Sequence, residues 1–264
     1  MHLLKRELRA NMKNFIIWSL VMIVFILLMV SEFSAYYQNP DMAKILEEMP
    51  PEALEAFSMA GVDLTTPSGF ISAAATYFFL LLGFFSGLLG SHIISKEERD
   101  KTGEFFYTLP VSRRYAISCK LLVGLIYSSL ILLVTYGTTI VSMLSYDLDQ
   151  TYFKYLGLLA VCTGLIQMMF LGLGLALSSL LKRYRLSGRI TSVIIMAMYL
   201  MSIVLALNPD IEFLKHVTPY SYFQPNGLLR EMVIGRSGVL VSLGAIVVTL
   251  CLTYYFYPKR DLNI

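Results

Sequence analysis

Several motifs that would carry chemistry are missing from this chain. No Gly-x-x-x-x-Gly-Lys-Ser/Thr occurs anywhere, so the chain does not hold ATP by a P-loop. No His-Glu-x-x-His zinc motif occurs, and the only histidines are His2, His92 and His216. The run Gly83-Phe84-Phe85-Ser86-Gly87 lacks the spacing of a serine-nucleophile turn, and only His92 falls near a span end to serve as its base. Glu97-Glu98 opens a Glu-Glu-x-x-x-Arg pattern, but position 102 is Thr. Catalysis on this chain is not expected. Cys119, Cys162 and Cys251 are scattered and form neither a disulfide framework nor a metal set. They read as small packing residues.

Charge is also scarce. Only 15% of residues are charged and 56% are hydrophobic, where soluble domains carry about 25% charged residues. Several apolar runs reach the roughly 20 residues needed to cross a bilayer. The expected fold is an all-α polytopic membrane protein, a single membrane domain over 1–264, with six transmembrane helices. The spans fall at about 15–35, 69–95, 116–146, 152–181, 190–207 and 238–257. The third covers about 31 residues, or about 46 Å at 1.5 Å per residue. It exceeds a hydrocarbon core of about 30 Å, which predicts a tilted or projecting helix. The middles of all six spans lack Asp, Glu, Lys and Arg, and Gln167 is the most polar residue there. Proton relays and Na⁺ sites usually need such groups, so ion-driven transport is not expected. Scattered Ser and Thr suit helix packing.

The basic residues that do occur are segregated. Of the 21 in the chain, all but Lys44, Lys154, Lys215, Arg230 and Arg236 fall in the leader, the second-to-third and fourth-to-fifth connections, and the tail. The positive-inside bias then places both termini in the cytoplasm and supports the span count. No basic stripe remains for nucleic acid. Cleavage at Ser34-Ala35, as of a signal peptide, would leave five spans with termini on opposite sides, so the first run is kept as a span. Residues 1–14 place Leu3, Leu4 and Leu8 on one face with Lys5, Arg6, Arg9 and Lys13 around it. That pattern predicts an amphipathic N-terminal interfacial helix, with Trp18 in the inner aromatic belt.

The connections carry their own signals. Asn39-Pro40 starts a helix pattern through Met42, Ile45, Leu46 and Met49, and Pro50-Pro51 a second one stopped near Gly61. Glu47, Glu48, Glu52 and Glu55 make this loop acidic, as a solvated cap or a substrate-binding lip. Residues 216–235 mix proline and aromatics around an apolar stretch too short to span, which suits an interfacial or re-entrant hairpin. Gly83 with Gly87, and Gly124 with Ser128, are small-x-x-x-small pairs. They serve close packing within the chain or dimerisation.

Residues 95–114, SKEERDKTGEFFYTLPVSRR, stand out between two apolar spans. Acids and bases alternate from Lys96, then Phe105, Phe106 and Tyr107 add apolar bulk before Pro110 ends the helical pattern. Two adjacent phenylalanines in a charged connection either sink into headgroups as an anchor or fill a cleft on a partner while the charges fix register. The acids argue for a partner over anionic lipid.

The stretch EERDKTGEFFYTLPVSRRYAISCK, residues 97–120, resembles the signature of ABC-2-type permeases, the membrane subunits of ABC exporters. TPYSYFQP, residues 218–225, is similar to the family segment before its last span, and the resemblance covers essentially the whole chain. It implies that 96–114 is the coupling segment for a separate ATPase subunit. The contact residues would be Glu97, Glu98, Arg99, Asp100, Lys101, Thr102, Gly103, Glu104, Phe105, Phe106, Leu109 and Arg113. By position, LKRYRLSGR with Lys182, Arg183, Tyr184 and Arg185 resembles the second cytoplasmic contact. The resemblance further implies two P-loop ATP-binding subunits carrying ATP and Mg, with no cofactor on this chain, and a second permease as homodimer or heterodimer. It places the assembly in a bacterial plasma membrane. Larger family members carry big extracellular domains, which this chain lacks. Absence of intramembrane charge points to hydrophobic or amphipathic cargo, such as an antimicrobial peptide, drug or lipid. The alternative is a non-transporting sensor or assembly factor on the same scaffold.

Overall fold

In lipid every backbone N–H and C=O must be satisfied within the protein, which makes helices the solution for uninterrupted apolar runs. The computed structural model describes residues 2–39, 41, 44, 48–56, 59–99, 112–181, 184–208 and 214–259. Nine α-helices are set out among them: α1 (His2–Tyr36), α2 (Pro51–Ala56), α3 (Pro67–Arg99), α4 (Arg113–Met143), α5 (Gln150–Leu180), α6 (Tyr184–Leu207), α7 (Pro219–Tyr222), α8 (Pro225–Glu231) and α9 (Arg236–Phe256). A short 3₁₀ turn, Tyr257–Lys259, follows, and no strand occurs among the described residues. Six of the helices are long and apolar enough to cross a membrane.

Local chemistry marks where the helices start. The Ser112 hydroxyl accepts from Tyr115 N at 3.2 Å, and Asp149 Oδ1 accepts from Tyr152 N at 2.7 Å. Thr218 caps α7 with Pro219 at its first position, where the missing N–H costs nothing. The first helical pattern of the acidic loop lies largely outside the described residues, as does Phe57. The second pattern forms α2, and Gly61 turns the chain at φ 67°.

α1, α3, α4 and α5 are 35, 33, 31 and 31 residues long. At 1.5 Å per residue they reach roughly 46–52 Å, well past a hydrocarbon core of about 30 Å. The projecting lengths carry the polar chemistry. The expected leader is helical and runs into the first span without interruption. Its Leu3, Glu7 and Asn11 edge is buried against protein, while Lys5, Arg6, Arg9 and Lys13 stay exposed.

α3 lies at the centre of the bundle and packs most extensively on α5. Their backbones touch through glycine. A Cβ at Gly174 would fall on the Gly87 carbonyl and the Ser91 N–H, and one at Gly90 on the Leu171 carbonyl. Gly83 faces Phe170 and Tyr220, Gly87 faces Thr191 and Ile195 on α6, and Gly124 faces Leu171. Ser86 and Ser128 hydroxyls meet at 3.0 Å. Both small-x-x-x-small pairs therefore serve contacts within the chain. The α7–α8 hairpin folds inward: Tyr220 stacks on Phe170 with centroids 5.8 Å apart and meets Tyr199 edge-on at 5.7 Å.

Alanine at Gly174 should lower the melting temperature in detergent, because two backbones must part to admit one methyl; overpacking costs about 1–3 kcal/mol. Alanine at Gly157, whose Cβ would meet nothing within 4 Å, should leave it unchanged or slightly raised. Equal effects at both positions would contradict the backbone contact.

Candidate functional site

One end of the bundle gathers the start of α1, the end of α3, the start of α4, the end of α5, the start of α6 and the end of α9. Side-chain bonds tie them there. On α1, Glu7 sits one turn beyond Leu3 and faces the bundle with no exposed surface. Lys96 Nζ donates to Glu7 Oε2 at 2.5 Å, and Lys120 Nζ donates to Glu97 Oε1 at 2.5 Å and to the Ile93 carbonyl at 2.6 Å. Lys120 also stands 3.8 Å from Glu7 Oε1. Adjacent residues of α3 thus reach opposite ways, Lys96 toward α1 and Glu97 toward α4.

The four groups sum to zero charge, as burial requires: an unpaired buried charge is strongly unfavourable, whereas a paired one roughly breaks even. Such a cluster adds little net stability but is intolerant of geometry. Its bonds close only when α1, α3 and α4 hold one mutual register. Neutral bonds reinforce it: Tyr127 donates to the Leu8 carbonyl at 2.6 Å and Asn11 Nδ2 to the Glu7 carbonyl at 2.9 Å. A hydroxyl relay links Ser95 to Ser178 at 3.1 Å and to Ser187 at 3.0 Å, joining α3, α5 and α6.

The connection expected to contact a partner leaves and re-enters through this frame. Its entry, Lys96 to Arg99, is bound to α1 and α4 by the cluster, and Arg99 bonds His92 Nε2. At its exit, Arg113 donates to the Pro258 carbonyl at 2.7 Å, and the hydroxyls of Ser118 and Tyr254 meet at 2.8 Å. These bonds tie the start of α4 to the end of α9. Glu97 is buried, Glu98 half-buried and Arg99 exposed. The expected positions Asp100, Lys101, Thr102, Gly103, Glu104, Phe105, Phe106 and Leu109 lie outside the described residues, as do Lys182 and Arg183. Tyr184 opens α6, and Arg185 lines a cavity of about 290 Å³ together with Arg99. The described ends of the two expected contact regions, Arg99 and Arg185, thus line one cavity.

Sequence reasoning counted Lys96 and Lys120 toward topology, placed Lys96 in the coupling segment and Lys120 at the end of the family signature, and passed over Glu7. The available signal was its isolation: Glu7 is the only acid before Glu32, set among basic residues on a helix edge.

A family model described as ABC-2 family transporter protein matches residues 1–262. No curated protein matches the chain.

Methionine at Lys120 should destabilise the protein by about 3–5 kcal/mol, the cost of stranding a buried partner charge, read as a lower melting temperature in detergent. Adding Glu97→Gln should restore much of the loss. If the double variant is as unstable as the sum of the singles, the two groups do not act as a pair.

Proposed function

Because the chain belongs to the ABC-2 family of transporter proteins, and is thus a multi-pass permease subunit of an ABC transporter that works with an ATP-binding subunit, we propose that it is an exporter permease whose 96–114 connection seats that ATPase. The observation that carries this reading is the frame around the connection. A load applied between Arg99 and Ser112 passes at its entry into α1 and α4 through the buried ion cluster, and at its exit into α9 through Arg113. A flexible tether would not deliver force to three helices at once.

The mechanism is a lever. ATP brings the nucleotide-binding subunits together, and the shift is handed to Phe105 and Phe106 seated in a cleft of the ATPase. Rigid helices convert it into opening between two permease subunits. The free energy comes from the different affinities of the ATPase conformers for the connection. Two permeases, identical or not, and two ATPases with ATP and Mg complete the assembly. By the positive-inside bias, the basic residues collected at the cluster end support a cytoplasmic position for that end and for both termini. Spans with apolar middles favour a hydrophobic or amphipathic cargo, a peptide, drug or lipid, over a small ion.

Affinity purification from solubilised membranes tests the seat. Wild type should retain an ATP-binding subunit identified by its P-loop, and the Phe105→Asp/Phe106→Asp variant should lose it while inserting in the membrane at the same level. Gly103→Pro should keep membrane insertion and lose export. Equal ATPase retention by wild type and the double variant would sink the plug; no ATPase with wild type would turn the reading toward a sensor or assembly factor.

A further inference from the structure

The end of the bundle away from the ion cluster holds a cavity of about 320 Å³. Thr76 of α3 lines it, about 20 residues before Lys96 on the same helix, a separation of about 30 Å at 1.5 Å per residue. Phe79 of α3 with Ile203 and Ala206 of α6 gives it an apolar wall, Tyr220 lines it from α7, and Glu55 and Arg230 reach it from α2 and α8. Such a volume lies at the lower end of the range for small-molecule sites, about 300–1,000 Å³. Bonds across the chain hold the walls. Ser72 Oγ donates to Asn226 Oδ1 at 3.3 Å, and Asn226 Nδ2 and Arg230 Nη2 each donate to the Ala60 carbonyl at 3.3 Å. The Tyr155 hydroxyl donates to the Pro225 carbonyl at 3.1 Å, which fixes the start of α8 on α5. Gly61 makes room for Arg230, because a Cβ there would fall on the guanidinium.

Several polar groups around this cavity lack partners. Among the described residues neither Glu55 nor Arg230 stands within ion-pair distance of an opposite charge, although both line the same space. Thr76 Oγ1 and the Tyr220 hydroxyl are buried and have no hydrogen-bond partner, and Tyr220 as a whole is 4% exposed. Buried polar atoms are paired in the great majority of cases. Two orphaned hydroxyls on residues that line one cavity therefore point to a polar occupant.

We propose that this cavity binds a small zwitterion with an apolar side chain, of the size of an amino acid or dipeptide, its carboxylate at Arg230 and its ammonium at Glu55. A simple anion would be repelled by Glu55 and a simple cation by Arg230, whereas a ligand carrying both charges suits both. The guanidinium presents a planar fork of donors matched to a carboxylate. Both charged residues are exposed, so they set which ligand enters and how it lies more than how tightly it holds. Phe79, Ile203 and Ala206 receive the side chain. An occupant so placed touches α2, α3, α6 and α8 together and braces the α7–α8 hairpin against two spans. The site is independent of the ATPase reading, since this chain alone contains every wall.

The full-length permease, purified in neutral detergent without any ATPase, is titrated into the millimolar range with leucyl-leucine, N-acetyl-leucyl-leucine or leucyl-leucinamide, and binding is followed by isothermal titration calorimetry. Wild type should bind the free dipeptide about five-fold or more tightly than either capped form, the scale of one exposed charge pair. Glu55→Gln should erase the preference over the acetylated form and keep the preference over the amide. Arg230→Gln should do the reverse. Glu55→Gln should also leave the melting temperature without ligand unchanged, and Lys154→Gln, an exposed position at the start of α5, should leave all three affinities unchanged. Absence of dipeptide binding by wild type, equal binding of free and capped forms, or preferences that survive in both variants overturns the proposal. So does displacement of the dipeptide by an equal concentration of dioleoyl phosphatidylethanolamine, which would make this a lipid headgroup site.

Discussion

A lysine ammonium with no exposed surface exists at position 120 only because Glu97, the Ile93 carbonyl and, farther off, Glu7 converge on it. Those partners come from two other helices, so the charge is tolerable in one arrangement of α1, α3 and α4 and costly in any other. The hydroxyl relay from Ser95 to Ser178 and Ser187 extends the same constraint to α5 and α6. The basic end of the bundle is thus positioned by electrostatic necessity rather than by apolar packing, which in lipid gives little preference for one helix neighbour over another.

The interior is organised by the opposite principle. Between α3 and α5 no strong polar bond is needed, because glycine lets the backbones meet and dispersion accumulates over the contact. Gly87, Gly90 and Gly174 make that approach, and Phe170 with Tyr220 fills the space beside it. A rigid, glycine-packed shaft joined to a charge-locked end is a construction that carries displacement without absorbing it. Such rigidity is what a permease needs if motion at its 96–114 connection is to reach the far side of the membrane.

A half-buried stripe on α3, formed by Tyr77, Leu81, Phe84 and Leu88, follows from how its neighbours are held. α1 is drawn to one side by Glu7 and the Tyr127 bond to Leu8, and α6 to the other by Gly87. The gap between them is a consequence of both attachments. Arg99 and Arg185, which line the cavity beside Leu88 at one end of that gap, belong to regions that sequence reasoning had assigned to separate cytoplasmic contacts.

The six long helices and the segregation of basic residues were legible in the sequence, because hydrocarbon admits almost no alternative to a helix and charges at span ends are rare enough to count. Pro219, Pro225 and Gly61 marked their turns through local backbone chemistry alone. Glu7 meeting Lys96, the use of Gly83 and Gly124 within the chain, and the half-buried stripe through Leu81 and Phe84 were decided only in three dimensions. An apolar residue reads the same in sequence whether it will face lipid, a neighbouring helix or a groove. A charge near a span end reads as topology until the fold shows which opposite charge, about ninety residues away, stands beside it.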